Sequence, residues 1–158
     1  MATLIVTHTE TLTLDGRNRS ASKTFSLDVD NIYERTLSVA ASATTIAVFK
    51  STEAIADGSI DIQEAKYIRI TNTDTSDLLL LTFTIDSSEN DATDANEFIS
   101  VGVTAGESFI LGTPHDNAAV GSMMSTDTNL HDISKIEARN GTDSTNLKLE
   151  IYVAGKES

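Results

Sequence analysis

Five carboxylates crowd one segment of this chain: Asp86, Glu89, Asp91, Asp94 and Glu97. Acidic groups at that density suit either a calcium loop or acid–base hydrolysis. Calcium wants about six to eight oxygens from a loop that bends sharply, and the sharp bend calls for a glycine. None stands in this segment, so the spacing predicts a solvated acidic hairpin loop without a metal. The three histidines, His8, His115 and His131, are too scattered for zinc, whose ligands come in pairs at short spacing. His115-Asp116 and His131-Asp132 repeat one dipeptide, but nothing in the chain fixes their geometry. A serine nucleophile would want a Gly-x-Ser-x-Gly elbow. Gly121-Ser122 has Met124 where the second glycine belongs. The eight glycines are spread over turns, so no phosphate-cradling loop exists. Carboxylate pairs for glycoside cleavage depend on a separation that only the fold sets. Glycan binding usually uses stacking aromatics, yet tryptophan is absent and aromatics are 5% of residues. We therefore expect no catalytic centre, no metal and no cofactor.

Residues suited to contact are easier to find than residues suited to reaction. Arg17, Arg19 and Lys23 form the one positive cluster, which reads either as a docking point for an acidic partner surface or as a solvated hairpin tip. His8 and Glu10 fall in register with Leu4, Val6, Leu12 and Leu14 on the apolar side of the first strand. Such a polar pair marks either the point where the strand leaves its own core for a neighbouring subunit, or a guard against edge-to-edge aggregation. In Leu78-Leu79-Leu80-Leu81-Thr82-Phe83, inward positions for Leu79, Leu81, Phe83 and Ile85 leave Leu78 and Leu80 pointing outward. That surplus makes Leu78 and Leu80 candidate subunit-interface residues, alongside His8 and Glu10.

These residues must be positioned by strands, because the apolar pattern is two-periodic almost throughout. Leu147, Leu149, Ile151 and Val153 alternate with Lys148, Glu150 and Tyr152. Threonine fills many outward positions, such as Thr3, Thr7, Thr9, Thr11 and Thr13 at the start of the chain. Side chains that switch faces at each step make strands with one buried and one solvated side. Strands are predicted over 3–14, 23–29, 32–40, 45–50, 59–63, 66–72, 78–86, 97–104, 107–112, 133–139 and 145–154. Asp15-Gly16, Asp57-Gly58, Ala105-Gly106 and Asn140-Gly141 supply turns between them. Helix signals are few. Glu53 to Ala56 suits one turn, and Leu130, Ile133 and Ile136 stand three apart, although the β-branched residues favour a strand from Ile133. Loops are expected over 87–96 and 113–132, the second long enough to be functional.

Composition bounds the rest. A chain of 158 residues with 39% hydrophobic residues suits one domain, 1–158, with a substantial core. Cysteine is absent, which removes disulfide and thiol chemistry. No apolar run approaches the ~20 residues of a membrane helix, and the opening Met1-Ala-Thr-Leu-Ile-Val-Thr-His lacks a secretory pattern. A formal charge of -13 repels nucleic acid and anionic membranes and favours a basic or cation-bridged partner. Short, regularly spaced strands with turns between them predict an all-β, jelly-roll-like β-sandwich of about 8–11 strands.

Three stretches add a resemblance. Lys66-Tyr67-Ile68-Arg69-Ile70-Thr71-Asn72-Thr73-Asp74 with the following leucine-rich strand, Val103-Thr104-Ala105-Gly106-Glu107-Ser108-Phe109-Ile110-Leu111, and Lys135 to Arg139 with the closing Leu147 to Ala154 resemble small virion proteins of tailed bacteriophages. They span roughly the C-terminal half and are patterns of strand and turn. The resemblance implies a capsid decoration or cement protein, a homotrimer on the capsid exterior that binds the major capsid protein and does no chemistry. It would assemble in the host cytoplasm and exchange residues 1–14 between subunits, and the basic cluster Arg17, Arg19 and Lys23 read above is the candidate docking point. The competing expectation is a tail or spike module for host recognition or carbohydrate binding, built on the long loop.

Overall fold

Alternation of apolar and polar side chains produces strands throughout. The computed structural model describes residues 2–50, 60–61, 65–85, 97–112, 133–142 and 145–156, and within them there is no helix. In chain order the strands are β1 (Ala2–Glu10), β2 (Thr13–Leu14), β3 (Arg17–Asn18), β4 (Ala21–Val29), β5 (Asn31–Val39), β6 (Thr44–Lys50), β7 (Ile60–Asp61), β8 (Ala65–Asn72), β9 (Leu79–Ile85), β10 (Glu97–Val103), β11 (Ser108–Gly112), β12 (Ile133–Asn140) and β13 (Leu147–Gly155).

Two antiparallel sheets form the body. One has the order β11-β8-β13-β5. The other has the order β10-β9-β12-β6, extended by the two residues of β7 parallel to β6. With the eight main body strands numbered in chain order and β7 left aside, the sheets read 6-3-8-1 and 5-4-7-2. This interleaving is that of a jelly roll: apart from the β9–β10 pair, neighbours in sequence cross between sheets, and neighbours in a sheet are distant in sequence. The inward sets meet in one core. Ile68, Ile70, Leu147, Leu149, Ile151 and Val153 come from the first sheet, and Leu79, Leu81, Phe83, Ile136 and Ala138 from the second. Each Leu, Ile, Val or Phe among them contributes about 1.5–3 kcal/mol by leaving water. Phe83 and Phe109 bridge the sheets with ring centroids 5.2 Å apart, and the Tyr33 hydroxyl donates to the Ile46 carbonyl at 3.1 Å.

Threonines at outward positions pair across strands. The hydroxyls of Thr71 and Ser108 lie 2.8 Å apart, and those of Thr82 and Ser100 3.3 Å apart. Such cross-strand contacts give sheet faces modest support without charge.

Two details near the start of the chain depart from the sequence reading. The strand predicted over 3–14 breaks after Glu10, because side chains take backbone groups that a ladder would need. Leu12 N–H donates to Ser20 Oγ at 3.2 Å and Ser20 N–H to Asn18 Oδ1 at 2.8 Å. The partner strand begins at Ala21 rather than 23. The helix-like spacing of Ile133 and Ile136 has a strand explanation. A register shift between Ile133 and Lys135 inserts an extra residue, so two inward side chains stand three apart. The segments 87–96 and 113–132, read as loops, lie outside the described residues.

The two ends of the sandwich differ. At one end the connections 40–43, 73–78 and 104–107 are short, and two buried amides join the loop after β8 to β10 and to the residues after β12. Asn72 Nδ2 donates to the Asp77 and Val103 carbonyls at 2.8 and 2.9 Å. Asn140 Nδ2 donates to Asp77 Oδ2 at 2.7 Å and to the Thr145 carbonyl at 3.0 Å. At the opposite end β6, β9 and β11 finish, β10 and β12 begin, and the N-terminal strands join β5.

Candidate functional site

The strands of residues 2–29 pair with neither body sheet. β1 pairs with β4 over its whole length, from Ala2 opposite Val29 to Glu10 opposite Ala21. β2 and β3 close the tip. The tip turn is set by its residues: Asp15 has φ 50° and Gly16 φ 72°. Two consecutive positive φ values make a type I′ turn, whose twist matches the flanking strands and which Asp-Gly adopts at low cost. Within the segment 1–14, β1 therefore pairs with β4 of its own chain and β2 with β3, as one side of a hairpin.

The hairpin has a seated root and a free tip. One face of the root carries Leu4, Val6 and Leu27, half-buried beside Val29 against Tyr67, Tyr152 and Ala154 on the outer face of the first sheet. The two tyrosine rings meet edge to face with centroids 6.2 Å apart. Burial under this root raises the Tyr67 hydroxyl above its ordinary value, against the opposing pull of the Arg69 guanidinium. Arg69 also lies over the Tyr152 ring at 5.4 Å and pairs with Glu150 at 2.5 Å, which fixes the platform beneath the root. Lys156, just after β13, reaches Asp28 at 3.8 Å across the hairpin base.

From Thr7 to Thr24 every residue is exposed. His8 is the first residue past Val6 on the root's contact face and sits opposite Lys23, with Glu10 opposite Ala21 next along. The pair thus marks where the hairpin leaves its own body. Beyond it, Leu12 and Leu14 are 51% and 52% exposed, and Ile5 on the other face is 64% exposed. Arg17 and Arg19 flank the end of β3 and Lys23 lies in β4, so all three predicted docking residues belong to this tip. The described residues hold no carboxylate in ion-pair contact with any of the three. Three of the eleven Lys and Arg and two of the 24 Asp and Glu fall between His8 and Thr24. The tip is therefore +1, which leaves -14 on the rest of the chain.

Leu78 and Leu80 sit elsewhere, on the outer face of the second sheet, well away in topology from the hairpin. Leu78 is exposed, and Leu80 lies half-buried between Gly102 and Gly141. A side-chain carbon at Gly141 would come within 2.7 Å of Leu80 Cγ and 3.2 Å of the Leu78 carbonyl. The glycine therefore lets this leucine lie flat. Phe98, outward on the edge strand β10 of the same sheet, is 62% exposed. The structure thus gathers the basic residues with His8 and Glu10 on one hairpin, and leaves Leu78 and Leu80 on a separate apolar face.

The predicted chemistry largely falls outside what is described. Asp86, Glu89, Asp91, Asp94, His115 and His131 lie outside the described residues, and Glu97 is described only as the first residue of β10. Among the described residues no group of His, Asp or Glu gathers that could hold a metal. No described helix is long and apolar enough to cross a membrane.

The sequence reading missed the buried amides, although a signal was present. Asn72 continues the inward set Ile68, Ile70, and Asn140 continues Ile136, Ala138. An asparagine in an inward slot at a strand end, followed by Thr-Asp or Gly-Thr, marks a side chain that organises the next loop. Compared with models of known protein families and with curated proteins, the chain matches none.

Proposed function

We propose that this protein is a non-enzymatic component of a tailed-bacteriophage virion, a decoration or cement protein. It binds the major capsid protein on the capsid exterior as a homo-oligomer, most simply a trimer, after synthesis in the host cytoplasm. One observation carries the reading: a rigid jelly-roll body holds out a hairpin whose tip is exposed on both faces and still carries leucines and arginines. Groups of that kind gain from a partner surface. The resemblance of the strand-and-turn patterns supplies the virion setting, and the acidic body suits a protein that must not compete for the packaged nucleic acid.

Function then follows from geometry and copy number. The packed core and the amide-joined end give a body that transmits force without deforming. Outer faces rich in threonine and leucine offer many weak contacts, and linked copies convert weak contacts into firm attachment. A shell held across its subunit boundaries opens at a higher temperature, as any ligand selective for the closed state requires.

The test is to mix purified protein with phage shells that lack their decoration, then follow co-sedimentation and shell melting. Saturable co-sedimentation with a raised shell melting temperature supports the proposal. Protein left in the supernatant, with shell melting unchanged, sinks it.

A further inference from the structure

We infer that the tip of the hairpin, Thr7 through the Asp15–Gly16 turn to Thr24, docks on a second copy of this chain. The inference rests on the oligomeric half of the reading above and does not need the shell.

Three observations converge on that occupant. The first is structural. A two-stranded ribbon is marginal in water unless something covers it. The root is covered by Tyr67, Tyr152 and Ala154, whereas all eighteen residues from Thr7 to Thr24 are exposed. At about 3.3 Å per residue the tip reaches some 25–30 Å past His8, far enough to cross onto a neighbour. The second is apolar. Leu12 and Leu14 lie within three residues of the tip turn, and both are half-exposed. Each strand of the ribbon is also hydrogen-bonded to the other along one edge only, so its outer edge is open to strand addition.

The third observation selects the partner. The tip is +1 in a chain whose remainder is -14. A basic projection on an acidic molecule is self-complementary, since every copy carries both the arm and the field that attracts it. The same acidic remainder repels phosphate backbones and anionic headgroups, which disfavours nucleic acid and membrane as occupants. The contact is heterologous, with one arm given and one received per copy. Such contacts close into a ring when the rotation allows.

The experiment uses the full chain, by light scattering after size exclusion and by sedimentation velocity over a range of concentrations. Two variants are compared with it, R17E/R19E/K23E and L12S/L14S. All five positions are exposed, so a thermal melt followed by circular dichroism reports whether the body is intact. We expect the parent chain to form a closed oligomer. Both variants, and raised salt for the parent, should increase its dissociation constant by at least about tenfold. A parent chain that stays monomeric at tens of micromolar overturns the inference, as does an oligomer indifferent to both variants. Repeating shell co-sedimentation with the same proteins separates the two ideas. A monomer that loses shell binding on charge reversal refutes docking on a second copy and leaves the decoration reading standing. A ring that ignores shells does the reverse.

Discussion

Asn140 shows how much a single inward polar side chain can organise. It donates to Asp77 Oδ2 and to the Thr145 carbonyl while its own Oδ1 accepts the Thr142 N–H at 2.8 Å. One amide thereby ties the loop after β8 to the loop after β12. Asn140→Ala leaves Asp77 short of a donor in a nearly buried site, and we expect a loss of about 2–4 kcal/mol by urea unfolding. Asp74 acts in the same loop by a different route. Its Oδ1 accepts backbone N–H groups from Thr75, Ser76 and Asp77 at 2.7, 3.1 and 3.3 Å. Those bonds, the one from Ser76 first and that from Asp77 second, hold its carboxyl below the ordinary 3.8. A carboxyl lowered in the folded state adds stability above its unfolded pKa and loses it as pH falls through the folded value. The melting-temperature gap between parent and Asp74→Ala should therefore be full at neutral pH and shrink only below about pH 4. A gap that persists unchanged in strong acid would contradict this assignment.

Among the elements, the hairpin divides at His8 into a root that the body needs and a tip that it does not. Val29 is buried against Tyr67 and Ala154. Val29→Ala should cost about 1–3 kcal/mol of body stability, through lost burial and the cavity left behind. L12S/L14S, at positions already in water, should leave body stability within about 0.5 kcal/mol in a monomeric sample. Chemical denaturation at low protein concentration, where any association is absent, distinguishes the two. Equal losses would mean that the tip is packed on its own body after all. The alternation of β1 was readable, and so was the exchange of Leu4 and Val6 for His8 and Glu10 along one face. The break at Leu12 was not, because it depends on Ser20 and Asn18 arriving from the other strand.

At the scale of the whole molecule, charge and packing oppose each other. A chain at -13 repels itself, so added salt should raise the melting temperature of the monomer by screening that repulsion. Attraction between the basic tip and an acidic neighbour should weaken in the same titration. Differential scanning calorimetry at low concentration and sedimentation at high concentration should thus move in opposite senses with salt. Melting that falls with salt at low concentration would show that favourable ion pairs, not net repulsion, dominate the body.

What the residues determine by themselves is local and periodic. Alternation in Leu147–Val153 and in Leu79–Ile85 dictates strands with one apolar side, Asp15-Gly16 dictates a tight turn, and the surplus of Leu78 and Leu80 dictates an apolar outer face. Each depends on side chains a few positions apart. The order 6-3-8-1 over 5-4-7-2, the seating of the hairpin root on two tyrosines, and the meeting of Asn72, Asp77 and Asn140 at one end are decided only in three dimensions. Those contacts join positions up to well over a hundred residues apart, and their energies depend on which neighbours exclude water from them. Periodicity along a chain carries no record of that.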